Sequence, residues 1–358
     1  MLNKAIRFAV AGTVTLFASL ATAETLPPIR LVSAPTPNVF PLLLAMARHP
    51  DLPVQLLPVG NSGIVMDDEF NMDDADGMLG MTYGIAQKAA MAQQFDLRLR
   101  GVFFWRGFFA ILPKSSTATS LAELTGKGFI VSGPLTGGRG GAPDLLFKAA
   151  LKRAGHTEAD FAVCYLPAKD GMTLMTSQAP MNSNAGCDKS QTSPATAFLL
   201  VEPAATGLVM KSSMFFNHDV PVKKGINIEN MFTGFTAWPQ GQLPQGGWAL
   251  RESVLNNPAR QAQVAAVEQA LQEATQELAE VSKKGLISRL RVAYTISSGI
   301  QKAYGDMGID LPALVLAKAL GDGDLVYRSD MPLAKIRSDL QKFLSEVMTV
   351  PVDSKLLN

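Results

Sequence analysis

The chain predicts an α/β protein of two lobes, each a doubly wound sheet with flanking helices. Three observations carry that expectation. Short β-rich runs alternate with helical patterns from Ile29 onward, as βαβ winding requires. The texture changes at Pro113-Lys114-Ser115-Ser116, and a second βα series begins there. The chain has 358 residues, and about 100–200 residues make one core-forming unit. Its residues are 47% hydrophobic and 18% charged, a balance that argues against disorder.

The N-terminus reads as a targeting segment. Lys4 and Arg7 form a positive head, residues 8–20 are uncharged and apolar or small, and Ala21-Thr22-Ala23 has the small residues a signal peptidase reads. This is the pattern of a secretory signal peptide, with cleavage expected after Ala23. The apolar run is shorter than the roughly 20 residues that span a bilayer. No Cys follows it, so no lipoprotein anchor is expected. The mature protein is expected to be exported to an oxidising compartment.

The first lobe opens with the strand Ile29–Ser33, broken by Ala34-Pro35-Thr36-Pro37-Asn38. A helix is expected over 39–47 and a strand over 52–59, ended by Gly60-Asn61-Ser62-Gly63. Then come a strand at Gly77–Met81, a helix over 83–93, and strands over 97–104 and 108–112. After Pro113 the pattern gives a strand over 129–132, a glycine-rich loop 136–141, a helix over 143–154, and the strand Ala162–Leu166. A strand over 197–201 leads to Glu202-Pro203. After Lys223-Lys224-Gly225 a strand is expected over 248–251. A long helix over 258–282 follows, its apolar positions recurring mostly at three- or four-residue spacing.

This order of elements resembles the periplasmic substrate-binding proteins of ABC transporters, of the nitrate/sulfonate/taurine and thiamine-precursor type. The pieces that carry it are "DADGMLGMTYGIAQKAAM", "LAELTGKGFIVSGP", "LVEPAATGLV" and "GGWALRESVLNNPARQAQVAAVEQALQEA". The resemblance spans roughly residues 29–274. It implies a two-lobe, type II-like fold with a hinge of two crossover strands and a ligand in the interlobe cleft. Lobe one would be residues 24–112 with 226–358, and lobe two 113–225. It also implies an inner-membrane permease as partner. The stretch "TSQAPMNSNAGCDKSQTSP" departs from the family and reads as an insertion.

Ligands of open α/β sheets sit beyond the carboxyl ends of the strands. Thr36 and Asn38 follow the first strand and offer side-chain hydrogen bonds, or helix capping alone. Thr82 and Tyr83 follow the third. Trp105 and Arg106 offer an aromatic wall beside a cation; packing at a lobe edge is the alternative. Gly137, Gly138 and Arg139 form a loop before a helix, where backbone N–H groups and a guanidinium suit an anion; Asp144 in the first helical turn counts against this, and a surface loop with a solvated Arg is the alternative. Glu202 would bind an amine or form an ion pair across the hinge. The expected ligand is therefore a small polar or anionic organic molecule.

Other classes find little support. A net charge of +1, with Lys4 and Arg7 in the leader, offers no excess for nucleic acid or an anionic membrane surface. The mature protein is expected to be a monomer without membrane affinity. His49, His156 and His218 are scattered, and no G-x-S-x-G elbow occurs. Asp67, Asp68, Glu69, Asp73, Asp74 and Asp76 miss the calcium-loop spacing. Met172, Met175 and Met181 near Cys187 read as core filler rather than a soft-metal site. No catalytic residue, cofactor or metal is expected. An exported enzyme on the same fold and a ligand sensor for a membrane receptor stand as the alternatives. The two cysteines, Cys164 and Cys187, are expected to pair after export; two buried thiols or a metal pair are the alternatives.

Overall fold

The computed structural model describes residues 26–60, 74–91, 96–133, 140–214, 220–348 and 350–357. The signal-peptide reading, most of the acidic run, His218, and the loop residues Gly137, Gly138 and Arg139 lie outside them. In chain order the strands are β1 (Ile29–Ser33), β2 (Val54–Pro58), β3 (Gly77–Met81), β4 (Leu97–Arg106), β5 (Phe108–Pro113) and β6 (Gly128–Ser132). Then come β7 (Ala162–Leu166), β8 (Ala195–Val201), β9 (Val222–Asn227), β10 (Gly246–Arg251) and β11 (Val326–Tyr327). The helices used below are α1 (Phe40–Arg48), α2 (Thr82–Met91), α3 (Ala142–Arg153), α4 (Ala168–Ser177) and α5 (Ala204–Ser212). Further along are α6 (Glu252–Leu255), α7 (Gln261–Val281), α8 (Leu286–Tyr304), α9 (Ala313–Gly321) and α10 (Leu333–Val347).

Two sheets result. The first runs β11-β4-β10-β3-β1-β2 and the second β7-β6-β8-β5-β9. Within each lobe the main winding is parallel: β2, β1 and β3 pair parallel, as do β7, β6 and β8, while the two-residue edge strand β11 lies antiparallel to β4. Two interior strands break that rule. β10 is antiparallel to β3 and β4, and β5 is antiparallel to β8 and β9. Each is the strand reached immediately after the chain changes sheets. β4 ends at the cleft, so the chain enters the second sheet from its cleft end and β5 runs back against its neighbours. β10 enters the first sheet the same way after β9. The ladders are therefore mixed, where the strand–helix alternation alone predicts parallel ones.

The crossover also falls earlier than the change in texture. β5 belongs to the second sheet although residues 108–112 read as lobe one. The lobes meet at Gly107, directly after Arg106 and between two apolar runs. A Cβ there would come within 2.6 Å of the Phe104 ring, so the close pass requires glycine. The return crossover lies between β9 and β10, and Lys224 stands within a strand rather than in a linker.

The main core takes residues from both sheets, including Leu31, Leu79, Phe104, Phe108, Val131 and Leu199. A smaller core under α4 and α5 covers the other face of the second sheet with Ile111, Ile130, Phe198 and Leu200. The 176–194 stretch leaves the end of α4 and comes back beside β7, the edge strand. Pro180 bridges Pro194, and the Gln191 amide donates to the Val163 carbonyl at 3.4 Å. Cys187 is bonded to Cys164 on β7, with Cα atoms 5.1 Å apart. The insertion thus covers a sheet edge that would otherwise be left unpaired.

Candidate functional site

The carboxyl ends of β1, β3, β6 and β8 face one another across the crossovers and enclose a cavity of about 260 Å³. From the first lobe, Ala34, Pro35, Thr36 and Asn38 follow β1, Met78 to Met81 form β3, and Gly84 and Ile85 open α2. From the second, Ser132 and Gly133 end β6, Gly141 to Pro143 open α3, Ala168 opens α4, and Val201 ends β8. Phe108, the first residue past the crossover, lies between the two groups. The lining is apolar, with Thr36, Asn38 and Ser132 as its polar side chains among the described residues. Three helices begin at its wall, so the positive ends of their dipoles point towards the space; at α3 the buried Asp144 carboxylate already accepts the Gly140 amide at 2.7 Å.

Several buried bonds fix this wall. The Tyr304 hydroxyl, at the end of α8, donates to the Ser33 carbonyl at 3.0 Å, and the Tyr327 hydroxyl donates to the Pro37 carbonyl at 2.8 Å. Both hold the turn that follows β1. Within that turn the Asn38 Nδ2 donates to Thr36 Oγ1 at 3.0 Å, while Asn38 Oδ1 is buried without a partner among the described residues. Gly246 of β10 makes room for that amide, since a Cβ there would fall 1.6 Å from Asn38 Oδ1.

The hinge beside the cavity carries the unusual electrostatics. Glu229 lies in the return crossover and is fully buried. Its Oε1 accepts the Gly107 and Phe108 amides, each at 2.8 Å, and the Gln245 Nε2 at 3.3 Å. Gln245 in turn accepts from the Tyr83 hydroxyl at 3.2 Å. One carboxylate therefore ties the outward crossover to the return crossover. Burial pushes its pKa up to about 7, against the amide donors and nearby Arg106, which pull it down. A second cluster spans the lobes on another side of the hinge. Lys224 Nζ lies 2.5 Å from Glu202 and 2.7 Å from Asp324, and Arg106 stands 3.9 Å from Asp324. Burial raises the Glu202 pKa, and the Lys224 cation and the Thr206 hydrogen bonds oppose the rise.

These positions sort the sequence candidates. Thr36 and Asn38 line the cavity together. Thr82 and Tyr83 lie behind it: the Thr82 hydroxyl donates to the Pro244 carbonyl, and Tyr83 joins the Glu229 network. Trp105 is buried against Trp238, with ring centroids 5.8 Å apart. Arg106 and Glu202 belong to the interlobe ion cluster, which is the ion-pair alternative for Glu202. Gly137, Gly138 and Arg139 are outside the described residues, although Gly133 and Gly141 on either side line the space. The apolar lining, Met78, Met81, Ile85, Phe108 and Val201, was missed. A search for polar groups at strand ends passes over them; counting every residue at those ends would have found them. Among the described residues no group of His, Cys, Asp and Glu is placed to hold a metal ion.

No protein-family model matches the chain, and no curated protein matches it in sequence. Solved structures do match. The periplasmic aliphatic sulphonate-binding protein SsuA of Escherichia coli superposes with a TM-score of 0.58 at 14% identity, covering 90% of this chain and 86% of that one. The alkanesulfonate-binding protein SsuA of Xanthomonas axonopodis, bound to MOPS, gives 0.55 at 15% identity over 93% and 96%. The periplasmic nitrate-binding protein NrtA of Synechocystis gives 0.57 at 13% identity over 92% and 84%. At such identities the likeness is one of fold. The chain has the two-lobed fold of the periplasmic substrate-binding proteins of ABC import systems.

Proposed function

We propose that this chain is an exported solute-binding protein, which takes one small organic molecule into the interlobe cleft and delivers it to an inner-membrane ABC permease. The observation that carries the reading is the cavity itself, shared by the strand ends of two sheets that the chain connects through crossovers. Hinge motion about Gly107 and Glu229 would open and close such a space. The lining supports a ligand with an apolar body against Met78, Met81, Ile85 and Phe108. Its polar or anionic group would meet Thr36, Asn38, Ser132 and the amides that open α3 and α4. No ionisable side chain lines the cavity among the described residues. General acid–base chemistry needs such a group within reach of the substrate, so the lining supports capture rather than catalysis. The fold neighbours named as sulphonate- and nitrate-binding proteins support the same class of task. The leader supports export to the periplasm.

The test is native mass spectrometry of protein purified from its own periplasm, followed by denaturing release. The expected result is one small molecule per chain, recovered chemically unchanged when added back and released again. Conversion of the added molecule to a product would replace binding with catalysis. A chain that carries nothing, and takes up nothing from a periplasmic extract, would remove the proposal.

A further inference from the structure

The hairpin of α7 and α8 ends in a tip that the cleft does not use. Its residues, Lys283-Lys284-Gly285-Leu286-Ile287-Ser288, are all exposed. Leu286 is 48% and Ile287 79% exposed, and two turns along α8 Tyr294 is 69% exposed. Exposed large apolar side chains are common singly; here two adjacent ones and a third two turns on project from one helix. The charges on the tip and along α8 are basic, with the exposed Glu280 at the end of α7 as the nearest acid. From residue 282 to residue 305 the chain has Lys283, Lys284, Arg289, Arg291 and Lys302 and no Asp or Glu. Lys283, Lys284, Arg291 and Lys302 are exposed and form no ion pair with a described residue. On neighbouring α7, Glu277 pairs with Arg48 and Glu273 with His49, whereas Glu280, among the described residues, accepts only from the neutral Gln276 amide and keeps its charge, against the four exposed cations. The overall charge of +1 conceals this local excess.

We propose that this tip docks the exported protein on an anionic phospholipid surface. Leu286 and Ile287 would enter the acyl boundary, Tyr294 would sit among the headgroups, and Lys283, Lys284 and Arg291 would meet the phosphates. An amphipathic helix at an interface combines apolar projections with Lys and Arg in the same way, and Tyr is enriched at headgroup level. The geometry leaves the cleft free. α8 spans 19 residues, so its two ends lie about 27 Å apart at 1.5 Å per residue. The far end carries Tyr304, whose hydroxyl holds the Ser33 carbonyl at the cavity wall. A protein seated by the tip would search the membrane in two dimensions with its cleft open to solvent.

The experiment is vesicle flotation of the exported protein, after N-terminal sequencing has shown the leader removed. Vesicles of phosphatidylcholine alone are compared with vesicles of phosphatidylcholine mixed with phosphatidylglycerol. The wild type should float with the mixed vesicles at low salt, stay behind with the neutral ones, and be released by high salt. Each Lys near an anionic surface contributes about a fivefold factor, so Lys283→Gln with Lys284→Gln should weaken partitioning by roughly 25-fold. Ile287→Ser should weaken it with both cations intact. Both variants should melt at the wild-type temperature, because the altered side chains touch solvent. Absence of flotation with mixed vesicles at low salt would overturn the proposal. So would variants that float as the wild type does.

Discussion

At the scale of single residues, the wall of the cleft depends on a glycine that contributes no side chain. Gly246 leaves the space that the Asn38 amide takes beneath β10. Gly246→Ala should displace that amide, break its bond to Thr36 and destabilise the protein by about 1–3 kcal/mol, the usual cost of overpacking a well-filled site. Chemical denaturation read by circular dichroism checks this. A variant as stable as the wild type would show that the turn after β1 yields freely. Thr36 and Asn38 were legible because polar residues after a β-rich run stand out, and both line the cavity. Met78, Ile85 and Phe108 were not legible, because an apolar residue at a strand end looks the same whether it packs inside the core or faces a ligand. Glu229 left no signal either. In sequence it is one acid among many, and only the crossovers that close around it make it unusual.

At the scale of elements, the joint between the lobes is where burial and charge conflict. Glu229 is protonated more readily in the folded chain, with a pKa of about 7, than in the unfolded chain near 4.5. The folded state therefore holds the extra proton between these values, and stability should fall as pH rises from about 5 to about 7, then level off. The groups facing this carboxyl are the Gly107 and Phe108 amides, Gln245, Tyr83 and Arg106. Glu202, with its pKa also raised, acts in the same direction. Glu229→Gln keeps an oxygen for the two amides and should flatten much of the slope, leaving the variant more stable than the wild type above pH 7. Melting temperatures measured across pH 5–8 decide this; parallel curves for both proteins would remove Glu229 as the cause. The insertion yields a second prediction. Its disulfide joins residues 23 apart in sequence. Replacing both cysteines with serine should lower stability by about 2–4 kcal/mol, and thiol labelling of the unfolded, unreduced protein should find no free thiol. Short strands such as Ile29–Ser33 and Ala162–Leu166 were readable in place, since breakers bound an apolar run. β9 was not, because Lys223 and Lys224 imitate a charged linker until Lys224 is seen held by Glu202 and Asp324.

At the scale of the whole molecule, the alternation of strands and helices was enough to predict two α/β lobes, since each short parallel unit must bury both faces. It did not reveal where the lobes join. Arg106-Gly107 breaks the apolar run there, but such a break reads equally as a turn within one lobe, and the strand pairings are what show that the chain changes sheets at it. That junction brings Phe108 and Val201 to the same cavity as Met78 and Ile85, and it makes a cleft from two sheets. The central claim is that the ligand sits there. The measurement that tests it is calorimetric titration of the released molecule into the wild type and into Ala142→Trp, which fills the cavity from the first turn of α3. The wild type should bind one molecule per chain. The variant should melt at a similar temperature and show no measurable heat. Equal affinities for the two proteins would place the binding site elsewhere and contradict the account.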